Sequence, residues 1–175
     1  MIRFVNIEEQ VDFDFTRARR KAFLRRMQAR IFGDPASTRL QSIEDVSKEF
    51  GAFNRVRLGR RVVAVEKIVG SMGRFRDFDR TFLPTRGSLE TKWKRIDRAY
   101  HKGQDLPPVA LFKVGEVYFV EDGNHRVSVA RYQGIEWIEA EVTVLHGSMS
   151  AAPVRGSSTE AMEKEQAVAT QPIAA

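Results

Sequence analysis

A chain of 175 residues with 42% hydrophobic and 10% aromatic residues can bury one core, which suggests one domain with extensions. No apolar run is long enough to span a membrane and no signal-peptide stretch follows Arg3 and Glu8, so no membrane partner is expected. The lack of cysteine excludes disulfides, thiolate catalysis and cysteine-ligated metals and fits a cytoplasmic protein, while a net charge of +6 and a pI of about 9.9 favour polyanionic partners.

Ile2, Phe4, Val5, Val11, Phe13 and Phe15 alternate weakly, so residues 1–15 read as an extended or irregular arm. A helix is predicted over 16–32. Thr16 can cap it, Phe23, Met27 and Ile31 with Leu24 make one apolar stripe, and Gly33-Asp34-Pro35 ends it. Arginines crowd its other faces with no acid among them. Arg19, Arg20 and Arg26 are the candidate contacts to a nucleic-acid backbone, an interaction that would weaken steeply with salt. Charge runs are usually solvated faces, and that plainer reading is preferred here.

A second, short helix is expected over 42–50, capped by Ser42 and stopped by Gly51. Residues 61–69 read as a β-branched strand running into the Gly70–Arg80 segment. In that segment Ser71, Gly73 and Arg74 are candidate anion contacts, and the plainer alternative is a surface loop anchored by Phe75, Phe78 and Phe82. Ser88 opens a helix with Leu89, Trp93, Ile96 and Tyr100 on one face. It ends at Gly103, with His101 read as a structural residue near its C-terminus. Leu106-Pro107-Pro108 leads into a strand, and Gly115-Glu116 makes a type II′ hairpin turn to the return strand. A last strand covers 137–145, and His146 is a core residue at best. Residues 147–175, rich in Ser, Ala, Thr, Gln and Pro, read as a disordered tail.

The stretch Tyr118–Arg131 carries the chemistry. Its β-formers stop at Asp122-Gly123, and a helix then runs to Gly134. Asn124, His125 and Arg126 gather polar groups at a helix start, where backbone N–H groups and the helix dipole favour an anion, and Gly123 lets a ligand approach the backbone. A glycine turn capped by Asp122 is the plainer alternative.

From about residue 61 to 145 the order of elements resembles the ParB/sulfiredoxin-like superfamily: strand, arginine-bearing loop, helix, Pro-Pro-Val into a hairpin, glycine-centred turn, helix, glycine, strand. Gly123-Asn124-His125-Arg126 shares its glycine and last arginine with the Gly-Glu-Arg-Arg turn of ParB, and its glycine, histidine and arginine with the Gly-Gly-Cys-His-Arg turn of sulfiredoxin. The resemblance implies an α+β fold, a small mixed sheet with packed helices over 56–146, preceded by a basic helical region (1–55) and followed by the tail. It also implies nucleotide handling, with ATP, ADP or CTP as cofactor and Mg²⁺ as its companion ion. Gly123, Asn124, His125, Arg126, Arg74 and Ser71 would then hold phosphate, with Glu121 and Asp122 as candidate base or Mg²⁺ ligand in hydrolysis or phosphoryl transfer. The acids of this region do not specify a metal site by their spacing. Lack of cysteine rules out sulfinic-acid reduction. The alternative is a DNA-binding regulator or ParB-like nuclease using the basic helix; DNA and a second copy of the chain stay open as partners.

Overall fold

The computed structural model describes residues 6–33, 38–44 and 53–147. Its elements are α1 (Ile7–Phe32), β1 (Gln41–Ser42), β2 (Phe53–Ala64), a 3-10 turn (Val65–Lys67), β3 (Ile68–Ser71), a second 3-10 turn (Gly87–Leu89), α2 (Glu90–His101), β4 (Val109–Val114), β5 (Val117–Asp122), α3 (Asn124–Gln133) and β6 (Trp137–Gly147). The strands form one mixed sheet in the order β1-β3-β5-β4-β6-β2, the α+β architecture expected. β1, β3 and β5 run parallel, β4 turns back against β5, β6 is parallel to β4, and β2 closes the far edge antiparallel to β6.

Both faces of the central strands are covered. Val109 and Leu111 of β4 join a cluster with Ile68, Val120, Val127, Phe78 and Phe82, while Phe112 and Val114 face Phe119 and Leu145 on the other side. The β4–β5 hairpin turns on two residues, with Val114 opposite Val117 and a positive φ of 57° at Gly115, as the expected turn type requires.

The N-terminal region departs from the sequence reading. The arm foreseen over 1–15 is helical from Ile7, and the cap is Asn6 rather than Thr16: the Glu9 amide donates to Asn6 Oδ1 at 2.9 Å. Glu8 and Glu9 in the first turn suit the helix dipole. The buried stripe is Val11, Phe15, Ala18 and Ala22, which packs on Leu83, Trp93 and Val129. The stripe expected to dock stays in solvent, with Phe23 54% and Ile31 63% exposed.

The single strand foreseen over 61–69 is two strands. β2 starts at Phe53 and leaves the sheet at Ala64, and β3 begins at Ile68 after the intervening 3-10 turn. Gly59, with φ 70°, sits at the register shift where β2 bulges against β6. Arg131 of α3 clamps the 3-10 turn by donating to the carbonyls of Glu66 and Ile68 at 3.1 and 3.0 Å. Other differences are smaller. Ser88 lies in the 3-10 turn that precedes α2, Tyr100 is exposed, and His146 is exposed rather than in the core. Most of the helix expected over 42–50, and the tail after Gly147, lie outside the described residues.

Candidate functional site

β5 delivers the chain to Gly123 and α3 carries it away. Gly123 has φ 104° and ψ 21°, a left-handed conformation, and α3 opens with no side-chain cap. The uncapped start faces a cleft of about 540 Å³. β5 and the turn line it with Glu121 through Arg126; the 72–86 loop adds Gly73 and Arg74, and α2 adds Lys92 and Arg95. Arg74, Lys92 and Arg95 are exposed, and Lys92 and Arg95 make no ion pair among the described residues. Among the described residues Arg74 pairs only at long range, with Asp77 at 3.7 Å.

The loop that supplies Arg74 is ordered by a few strong contacts. Asp79 Oδ1 accepts from Thr81 N at 2.9 Å, Thr81 Oγ1 at 2.8 Å and Leu83 N at 2.9 Å. These bonds hold Phe82 at φ 60°, and its fully buried ring offsets the strain. Ser71 does not reach the cleft. Its buried hydroxyl donates to Val120 O at 3.3 Å and accepts from Arg74 N at 3.4 Å, so it fixes the loop from behind.

Arg126 is largely engaged. It donates to the carbonyls of Pro107 and Pro108 at 2.5 and 2.7 Å and to Asp122 Oδ2 at 2.8 Å. It pins the Pro107-Pro108 entry to α3 and contributes charge to the cleft, but it is not the free phosphate donor its position in the turn suggests. Asp122 is tied by the same ion pair, whereas exposed Glu121 makes no ion pair among the described residues. Asn124 is 7% exposed, and its Oδ1 has no donor in reach.

His125 lines the cleft with its ring edge-on to Phe78, centroids 5.5 Å apart, and both ring nitrogens are buried without a partner. As placed, it cannot donate to a ligand in the cleft. Burial and then the positive charges of Arg74 and Lys92 push its imidazole down to about 4. The unfolded chain takes up this proton near pH 6.5, the folded chain only near 4, so stability present above pH 6.5 is lost as pH falls through that window. We expect a loss of about 2 kcal/mol between pH 7 and 4, discounted for partial solvent screening. Urea unfolding of wild type and His125→Asn at both pH values checks it: the variant should lose less.

The same loop also lines a second cleft of about 600 Å³. Arg26 and Arg30 of α1 meet Arg39 and Arg76 there, with Phe75, Phe78 and Asp79. Of the three candidate nucleic-acid contacts, Arg26 lines this cleft. Arg20 is exposed elsewhere on the helix, and Arg19 lies over the Phe15 ring at 5.9 Å.

The structure therefore gathers Gly123, Asn124, His125, Arg126, Arg74, Glu121 and Asp122 and leaves out Ser71. Lys92 and Arg95 are the cleft residues that sequence reasoning missed. Their only sequence signal is a helix rich in cations.

No family model matches the chain, and no curated protein matches it. Among solved structures, sulfiredoxin from Arabidopsis thaliana is similar at 17% identity and a TM-score of 0.36, over 61% of this chain and 96% of that one. This is a distant likeness of fold and says nothing of activity.

Proposed function

We propose that the chain binds a phosphorylated small molecule, a nucleotide being the first candidate, at the start of α3. The observation that carries this reading is the convergence of Arg74, Lys92, Arg95 and Arg126 on the uncapped helix N-terminus inside one cleft. Backbone N–H groups and the dipole favour an anion there. A Mg²⁺ companion ion fits less well, because Asp122 is already neutralised by Arg126 and only Glu121 remains. Hydrolysis or phosphoryl transfer is an extension of this reading, with Glu121 as its general base.

The test uses ATP, ADP, CTP and pyrophosphate, with and without Mg²⁺, on wild type and on Lys92→Glu/Arg95→Glu. These two side chains are exposed, so the variant isolates binding from folding; Arg126→Ala would not, since Arg126 holds the Pro107-Pro108 segment. A ligand that binds the native state raises Tm by mass action. Charge-assisted bonds contribute about 1.5–3 kcal/mol each, so reversal of both charges is expected to weaken binding at least tenfold. Equal shifts in both proteins, or none in either, would sink the proposal.

A second reading rests on the arginine-lined cleft of α1. If no small phosphate binds, but duplex DNA does with an affinity that falls steeply with salt and with Arg26→Ala/Arg30→Ala, that cleft is the functional one.

A further inference from the structure

We propose that Asp14, Asp97 and His101, with Gln133 and Tyr132 in support, form a site for one divalent transition-metal ion of the Zn²⁺ class, where α1, α2 and α3 meet. This site lies at the far end of α3 from the cleft and is independent of the phosphate reading.

Distances come first. His101 Nε2 is 3.0 Å from Asp14 Oδ2 and 3.6 Å from Asp97 Oδ2. The Gln133 amide nitrogen is 3.3 Å from Asp14 Oδ2 and 3.4 Å from His101 Nε2. A tetrahedral ion bound at about 2.0–2.1 Å separates its ligand atoms by about 3.3 Å. His101 Nε2 thus lies near that spacing from both carboxylate oxygens, and one ligand atom from each of Asp14, Asp97 and His101 lies within 4.8 Å of the other two. The Gln133 amide nitrogen also donates to Asp97 Oδ1 at 2.7 Å, so Gln133 is an outer-shell partner that holds one oxygen of Asp97 and leaves Oδ2 to the ion, with solvent as the fourth ligand.

Asp97 provides the second, independent observation. It is fully buried, and its Oδ2 has no hydrogen-bond partner although it faces His101. A buried carboxylate oxygen without a donor is costly. Asp14 is buried as well, so with a neutral imidazole the site carries two negative charges that one divalent cation balances. The other oxygen of Asp14 is held by Tyr132, whose hydroxyl donates to Oδ1 at 2.9 Å and turns Oδ2 inward. Such outer-shell bonds orient metal ligands. His101 is partly exposed, which opens a path for the ion. One imidazole with oxygen donors suits Zn²⁺, Co²⁺ or Mn²⁺ and not the soft Cu⁺. The ion would clasp α1 to α2 and α3 and so fix the basic helix against the domain.

The test uses full-length, tag-free protein stripped with a chelator, then titrated with Zn²⁺ and Co²⁺. We expect one equivalent to bind, a visible ligand-field band with Co²⁺, and a Tm that rises with metal. His101→Ala and Asp97→Asn should each weaken binding by about a hundredfold or more, the loss expected when a group of the site is removed. Gln133→Glu discriminates further. It sets a third carboxylate beside the two buried ones, so it should lower Tm in chelator yet tighten metal binding and recover its Tm when metal is added. A site that is only a hydrogen-bond network predicts the same loss with and without metal. No stoichiometric binding, binding undisturbed by His101→Ala and Asp97→Asn, or a Gln133→Glu variant that metal does not recover would overturn the proposal.

Discussion

Truncation of Trp93 to alanine is expected to cost about 5 kcal/mol. Trp93 is fully buried at the centre of the cluster that joins α1 to α2 and α3. Its ring lies 5.6 Å from Phe15 of α1 and 5.5 Å, edge-on, from Tyr132 of α3. Its Nε1–H donates to the hydroxyl of Ser128, also fully buried, at 2.9 Å. The cavity left by a core aromatic costs about 3–5 kcal/mol, and the Ser128 hydroxyl left without its partner adds about 1 kcal/mol or more. Against a total stability of about 5–15 kcal/mol, the loss approaches unfolding. Trp93→Phe keeps most of the volume and loses only the donor, so it should cost roughly a third as much. Ser128→Ala leaves the indole N–H unpaired and should cost about 1–2 kcal/mol. The Trp93→Phe/Ser128→Ala pair should cost less than the sum of its single changes, because neither polar group is then stranded. Urea midpoints decide it: a Trp93→Ala loss under about 1 kcal/mol, or strict additivity of the pair, would mean that this contact does not hold the helices together.

What was legible in the sequence was what local chemistry fixes. Asp122-Gly123 and Gly134 bracket α3 because each glycine supplies a left-handed residue that the chain needs there, and the Gly115 hairpin follows the same rule. α1 was misread because two of its buried positions are alanines. Ala18 and Ala22 carry little hydrophobic signal yet are fully buried, whereas Phe23, Met27 and Ile31 look like a core stripe and stay exposed. Size in the sequence stood in for burial, and close helix approach rewards small residues instead.

The site was half legible for a related reason. The turn is contiguous, so its polar residues could be read together; Lys92 and Arg95 enter the cleft from another helix, through tertiary packing that no local pattern announces. Arg126 looked free because its partners, the Pro107 and Pro108 carbonyls, belong to a segment 18–19 residues earlier. The Asp14–His101 contact spans 87 residues, so no local pattern announces it.

Gly123→Ala carries the other large expected effect, and it separates two reasons for a glycine. The backbone reason is φ 104°, which costs an L-residue about 1–2 kcal/mol. The packing reason is Val109: a Cβ on Gly123 would lie 2.6 Å from its Cγ1 and 3.0 Å from its Cβ, and Val109 is 1% exposed in the central cluster with no room to retreat. Overpacking of this kind costs about 1–3 kcal/mol more. Gly134→Ala is the control, since Gly134 also has a positive φ, 73°, but nothing within 4 Å of an added Cβ. We expect about 3–4 kcal/mol for Gly123→Ala and about 1 kcal/mol for Gly134→Ala. Val109→Ala in the Gly123→Ala background should recover part of the difference, a coupling of about 1 kcal/mol in a double-mutant cycle. Equal costs at the two glycines, or no coupling to Val109, would leave backbone conformation as the whole explanation. The same substitution bears on the cleft: the added Cβ would also sit 3.1 Å from Arg126 Nε, so relief of the clash is expected to shift the first turn of α3. Its N–H groups then move from where an anion would meet them, and phosphate affinity should fall in Gly123→Ala even where the protein remains folded, while Gly134→Ala leaves it intact.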